Sequence, residues 1–200
     1  MSEHYYTQKP QSKSKPQTWN HTFDGVQYTF TTDDGVFSKT RVDFGSRLLI
    51  EQFRKPAVQG DILDLGCGYG PIGIMIANKY RDEHIVMTDI NERAVMLAKQ
   101  NVKQNQIINA EVILSDRFEQ LSNRMFSAIL TNPPIRAGKK IIYSMFKDSF
   151  QALKNKGELW IVIQRKQGAP SAKKKLQELF GYVTLIERKK GYHIFKAVKY

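Results

Sequence analysis

From Asp61 onward, short apolar runs alternate with longer segments whose apolar residues recur at helical spacing. The runs DILDL (61–65), HIVMTD (84–89), AEVILSD (110–116), FSAILTN (126–132) and ELWIVIQ (158–164) read as buried strands. Between them, PIGIMIANKY (71–80), ERAVMLAKQNVKQN (92–105) and KKIIYSMFKDSFQALKNK (139–156) carry the periodicity of helices. Strand and helix in alternation is the pattern of βαβ units, so the chain is predicted to form a doubly wound α/β domain on a mostly parallel sheet. A further helix is predicted at SAKKKLQELF (171–180). Two closing strands, GYVTLIER (181–188) and GYHIFKAVK (191–199), follow it, and their short Lys-Lys-Gly link predicts an antiparallel pair at the sheet's end.

The segment before Asp61 has a different texture. WNHTFDGVQYTFTT (19–32) reads as two strands around Asp24-Gly25, a dipeptide whose two positions tolerate the positive φ of a tight hairpin turn. Residues 1–18 mix Lys, Gln, Ser and Pro with little to bury, which predicts a mobile tail. Residues 19–200 are then one domain with the hairpin as its N-terminal extension. No run approaches the roughly 18 apolar residues of a membrane span, and the polar N-terminus lacks a signal peptide's apolar core, so a cytoplasmic protein is expected. One cysteine excludes an internal disulfide. The four histidines, His4, His21, His84 and His193, have no metal-ligand spacing, so no metal is expected either.

Charge adds a direction to this picture. Residues 1–135 carry 15 Lys and Arg against 15 Asp and Glu, whereas residues 136–200 carry 16 against 4, so the net charge of +12 resides in the last third. Such asymmetry points to a polyanionic partner, such as a nucleic acid, docked on one side.

Chemistry enters at Asp64-Leu65-Gly66-Cys67-Gly68-Tyr69-Gly70-Pro71, where the first strand gives way to the first helix. Gly66, Gly68 and Gly70 let the backbone turn sharply and approach a ligand, Cys67 lies inside the loop, and Pro71 suits a first helical position. A dinucleotide fingerprint needs its third glycine at position 71, so proline there disfavours NAD. Asp64 supplies a carboxylate before the loop, a better match for the ammonium and sulfonium of S-adenosylmethionine than for a pyrophosphate. Asp89 closes the second strand 21 residues past Gly68, where an acid can accept both ribose hydroxyls, with Ile90 beside it. Asp116 closes the third strand and is assigned to the adenine amino group, flanked by Arg117 and Phe118.

Thr131-Asn132-Pro133-Pro134 follows the fourth strand at the edge where doubly wound sheets bind their ligands. Two prolines stiffen this turn. The Asn132 amide oxygen and the Pro133 carbonyl are then positioned to accept both N–H bonds of one exocyclic amine, holding its lone pair toward a methyl donor. On this reading Asn132 has its partner in the substrate and not in the fold.

In order and spacing, DLGCGYGPIGI, TDIN and TNPPI resemble the class I S-adenosylmethionine-dependent methyltransferases of the NPP amino-methylating group. With GVFSKTRVDFGSRLL (35–49) before them, they are similar to the family of ribosomal RNA guanine-N2 methyltransferases that act on 16S RNA, in a short single-domain form. The resemblance implies a Rossmann-like methyltransferase sheet, S-adenosylmethionine as cofactor, and a base of structured, ribosomal RNA as substrate. Pro134, Ile135, Arg136, Lys139 and Lys140 would face that substrate. Many relatives have Phe or Tyr after the two prolines, and this chain has Ile135. Two alternatives stand beside this reading: a protein glutamine-N5 methyltransferase and a noncatalytic RNA-binding module on the same fold.

Overall fold

The computed structural model describes residues 13–36, 38 and 40–200. Two strands, β1 (Gln17–Phe23) and β2 (Val26–Thr32), form an antiparallel hairpin in which Asp24 and Gly25 take φ of 51° and 76°, the left-handed pair that a two-residue turn of matching twist requires. The hairpin begins inside the segment expected to be a tail. Ser14 and Lys15 are already tied to the Asp33 carboxylate, and residues 1–12 lie outside the described residues.

Helix α1 (Phe44–Gln52) comes next, unforeseen from the hydrophobic pattern, and is capped by the Asp43 carboxylate accepting the Ser46 N–H. Then β3 (Ile62–Leu65), α2 (Pro71–Lys79), β4 (Ile85–Asp89), α3 (Glu92–Gln104) and β5 (Ala110–Leu114) build two successive parallel βα units. The chain crosses back to lay β6 (Phe126–Thr131) on the other side of β3, followed by α4 (Lys139–Ala152), β7 (Leu153–Gln164), α5 (Ala169–Phe180), β8 (Val183–Lys189) and β9 (Tyr192–Val198). The seven-stranded order is β5-β4-β3-β6-β7-β9-β8, and β9 is the strand that runs antiparallel to both its neighbours. This is the expected architecture: a mostly parallel, doubly wound sheet with an antiparallel C-terminal strand and an N-terminal hairpin.

Alternate residues of each central strand point to opposite faces, and both sets are apolar because helices cover both sides. Ile62, Leu130, Trp160 and Val162 pack with α1 and α2, whereas Leu63, Ile129, Ile161 and Ile163 pack with α4 and α5. Helix α4 ends at Ala152, four residues before its predicted end. Leu153 is fully buried and pairs with Phe126 as the first residue of β7, and Lys156 at φ 63° bends the chain into a bulge where Gly157 has no room for a Cβ. Local turn chemistry overrides the helical periodicity there. No helix among the described residues is long and apolar enough to cross a membrane.

Candidate active site

The strand order reverses between β3 and β6, and the loops leaving their carboxyl ends diverge to open a cavity of about 1140 Å³. The two loops are held in register by the Thr131 hydroxyl, which donates to the Leu65 carbonyl at 2.8 Å. Of the residues assigned to the cofactor, Gly66, Cys67, Gly68, Asp89, Ile90, Asp116, Arg117 and Asn132 line the cavity. Of those assigned to catalysis and substrate, Pro133, Pro134, Ile135, Arg136 and Lys140 do so as well. Asp64, Gly70 and Lys139 do not: Asp64 is buried under the loop, Gly70 caps α2, and Lys139 is exposed at the start of α4.

The glycine loop is built by backbone bonds that leave its inner face bare. Gly66 and Cys67 both donate their N–H to the Thr88 carbonyl, and Gly68 donates to Asp89 Oδ2 at 2.8 Å. Gly66 and Gly68 have φ of 76° and 58°, and a Cβ on either would meet nothing within 4 Å. The loop therefore leaves a hollow that side chains would fill, which is room for a ligand lying against the backbone. Asp89 also accepts the Asn91 N–H through Oδ1, so its carboxylate is fixed at the cavity edge with lone pairs remaining for hydroxyl donors. Asp116 pairs with Arg117 at 2.9 Å, and Arg117 reaches on to the Ser144 hydroxyl. The Cys67 thiol is pushed well up by burial and then by Asp64 and Asp89, so it packs as a small apolar group and is no nucleophile.

Asp64 has a role other than the one its sequence position implied. Its Oδ2 accepts the Gly73 N–H at 2.8 Å, fixing the first turn of α2, while Oδ1 is buried without a partner. Burial above all, and then the neighbouring charge of Asp89, raise its pKa to about 7 from an ordinary 3.8. A carboxyl whose folded-state pKa is raised holds more protons folded than unfolded between those two values. Its contribution to stability is therefore full below about pH 4 and is lost as pH rises to 7. In urea titrations from pH 4 to 8, the stability of wild type relative to Asp64→Asn is expected to fall across that window and level off above it. A constant difference would mean that Asp64 titrates normally.

The Asn-Pro-Pro turn has supports that no motif announced. Asn132 Nδ2 donates to Asp43 Oδ2 at 3.1 Å and to Ser46 Oγ at 3.0 Å, both at the start of α1. A carboxylate only accepts, so Asp43 fixes which way the amide faces: nitrogen toward α1, oxygen toward the cavity. The following 3-10 turn ties the Ala137 N–H to the Pro134 carbonyl, leaving the Pro133 carbonyl outside its hydrogen bonds. Asn132 thus has partners in the fold as well as an oxygen free for a ligand, which corrects the expectation that it serves substrate alone. Tyr192 of β9 also lines the cavity, packed so close to α1 that a Cβ on Gly45 would lie 2.8 Å from its ring. The one local signal at Asp43 and Ser46, an Asp three residues before a Ser, would mark a helix cap rather than a site.

The methyltransferase small domain pattern matches residues 27–196. The chain belongs to the methyltransferase small domain family. Within it, the chain is 56% identical over 200 residues, the full length of both, to the uncharacterized protein YbxB of Bacillus subtilis (strain 168). It is 30% identical over 197 residues to the ribosomal RNA large subunit methyltransferase G of Klebsiella pneumoniae subsp. pneumoniae, covering 95% of this chain and 51% of that one. Among solved structures, the Thermus thermophilus 16S rRNA N2 G1207 methyltransferase RsmC, in complex with AdoMet and guanosine, superposes with a TM-score of 0.82 at 25% identity, covering 92% of this chain and 51% of that one. The chain spans about half the length of the Klebsiella and Thermus proteins.

Proposed function

We propose that this methyltransferase transfers a methyl group from S-adenosylmethionine to the exocyclic N2 amine of a guanine in ribosomal RNA. The observation that carries the reading is the fixed amide of Asn132, its oxygen turned into a cavity whose other wall is the bare glycine loop. S-adenosylmethionine, when bound, supplies an electrophilic methyl on a positively charged sulfur. The residues fit it: the hollow over Gly66 and Gly68 accommodates a ligand against the backbone, Asp89 offers acceptors to ribose hydroxyls, and Asp116 offers one to the adenine amine. At about 1140 Å³ the cavity exceeds the roughly 300–1,000 Å³ of a pocket for one small ligand, consistent with two ligands meeting in it.

Asn132 Oδ1 and the Pro133 carbonyl accept the two N–H bonds of the incoming amine, which turns its lone pair toward the methyl group. As the nitrogen becomes positive, both oxygens stabilise the growing charge, and neither has to reorient, because Asp43, Ser46 and the two prolines already hold them. Arg136 and Lys140 at the cavity mouth favour a polyanionic carrier for the base. The RsmC complex with guanosine and the rRNA activities of the similar proteins support guanine and ribosomal RNA.

The test is nucleoside mass spectrometry of ribosomal RNA from cells with and without the protein, paired with methylation of the unmodified RNA in vitro. Loss of N2-methylguanosine in the first arm and its gain in the second are expected. Loss of a different methylated nucleoside would overturn the guanine assignment, and methylated glutamine in place of any nucleoside would overturn the RNA assignment.

A further inference from the structure

A second cleft of about 630 Å³ adjoins the large cavity and shares Asp43 and Tyr192 with its wall. Four basic side chains from three distant segments converge on it: His21 from β1, Arg41 just before α1 with Arg47 on α1 itself, and Lys190 from the turn between β8 and β9. Asp43 is the carboxylate on this lining, and it is already occupied by Asn132 and by the Ser46 N–H. Arg47 bonds Glu51 through Nε. Among the described residues the exposed Arg41 guanidinium has no hydrogen-bond or ion-pair partner, and Lys190 Nζ faces the Phe44 ring at 5.1 Å instead of an acid. His21 Nε2 is buried without a hydrogen-bond partner. Its pKa is lowered, first by burial and then by Arg47, so the ring adds no charge to the cleft near pH 7.

Cations gathered around a concave surface repel one another, and focused positive potential of this kind is relieved by an anion. An oxyanion with several acceptor oxygens suits the set, since arginine forks and a lysine ammonium both match phosphate. The position decides which phosphate. The cleft lies across Asp43 from Asn132, so an anion in it would be a near neighbour of the amine being methylated. We propose that this cleft holds a backbone phosphate of the RNA beside the target nucleotide, with Arg41, Arg47 and Lys190 as cationic donors. The inference rests on the RNA reading above and deepens it: the phosphate would set how far the base enters the cavity, while the base contacts choose it. It also extends the phosphate footprint beyond the C-terminal third, to Arg41 and Arg47. In that third, Lys154, Lys175, Lys196 and Lys199 are each engaged by acceptors of the protein itself.

The test uses the doubly substituted protein Arg41→Gln/Lys190→Asn, Asn being chosen because position 190 has φ of 49°, which asparagine tolerates. The probes are a fluorescein-labelled ribosomal RNA stem-loop in a salt titration, guanosine as a methyl acceptor without phosphate, and inorganic phosphate as a competitor. With cofactor affinity and melting temperature as checks on folding, the variant is expected to bind the stem-loop about tenfold more weakly. Its salt dependence should be shallower by about one phosphate's worth, a slope change of about 0.7–0.9. Its defect on the stem-loop should exceed its defect on guanosine by about the same tenfold. Equal RNA affinity and slope in wild type and variant would overturn the phosphate site and leave the RNA reading standing. A wild type that methylates neither RNA nor guanosine would overturn that reading, and the phosphate site with it. Inorganic phosphate binding that depends on Arg41 and Lys190 without any effect on RNA would identify the occupant as a free anion and overturn the RNA form of the proposal.

Discussion

Asn132→Ala is expected to lower turnover by about 10²–10³-fold, the range set by removal of one preorganised polar group from a developing charge. The size follows from how the amide is held. Its nitrogen bonds Asp43 and Ser46 in the free protein, so its oxygen meets the amine already oriented, and alanine removes both the acceptor and the means of aiming it. The loss should fall on kcat, because the bond to the amine gains strength as positive charge develops, and cofactor affinity should hold because Asp89 and the glycine loop are untouched. Two hydrogen bonds to α1 are lost as well, so a stability decrease of about 1–2 kcal/mol should accompany the rate effect. Asp43→Ala tests the positioning separately: Asn132 Oδ1 remains but its orientation is released, so kcat should fall while KM for the amine substrate changes little. Wild-type turnover in Asn132→Ala would remove Asn132 from the chemistry.

The difference between what the sequence disclosed and what it concealed has a physical cause. Strands such as β6 were legible because a sheet covered on both faces makes most residues apolar, and the hairpin was legible because Asp24-Gly25 suits two consecutive positive φ angles. The glycine loop and the Asn-Pro-Pro turn were legible because each is contiguous, with its chemistry written in adjacent residues. Supports assembled from distant segments were not. Asp43 acts on Asn132 across a separation of 89 residues, and nothing in either local pattern requires the other. The cluster of Arg41, Arg47 and Lys190 stayed hidden for the same reason, since its two arginines sit in a stretch whose charges balance. Conversely, the cationic excess of the last third was easy to count, although several of those lysines are tied to carbonyls or acids of the protein. Asp64 was misplaced because a strand-end acid before a glycine loop can face either the ligand or the helix behind the loop. Only the Gly73 contact distinguishes the two.

Asn101→Ala is expected to destabilise the fold by about 3 kcal/mol, through three hydrogen bonds that a surface-style helix sequence gave no hint of. Asn101 is fully buried on α3. Its Oδ1 accepts the Thr31 N–H at 2.8 Å, and its Nδ2 donates to the Thr31 and Tyr69 carbonyls at 2.9 Å each. One turn further along, Asn105 repeats the exchange with Thr29, accepting its N–H at 2.9 Å and donating to its carbonyl at 2.7 Å. Residues four apart on a helix are separated by about 6 Å and residues two apart on a strand by about 6.8 Å, so two asparagine amides on one helix face can stand in for the missing partner strand of β2. Truncating Asn101 leaves the buried Thr31 N–H and C=O and the Tyr69 carbonyl without partners, each at a cost of about 1 kcal/mol or more, whereas Asn105→Ala frees groups that water can reach and should cost less. The damage should reach the glycine loop, because Tyr69 is clamped between that bond and the rings of Trp19 and Phe30, at 6.1 and 5.6 Å. Denaturant unfolding should register the full loss. Hydrogen exchange should locate it in the hairpin amides and the loop, with S-adenosylmethionine affinity weakened in step. A loss below about 0.5 kcal/mol, the scale of an ordinary surface substitution, would mean that the hairpin is held by its aromatic packing and that the asparagine pair is incidental.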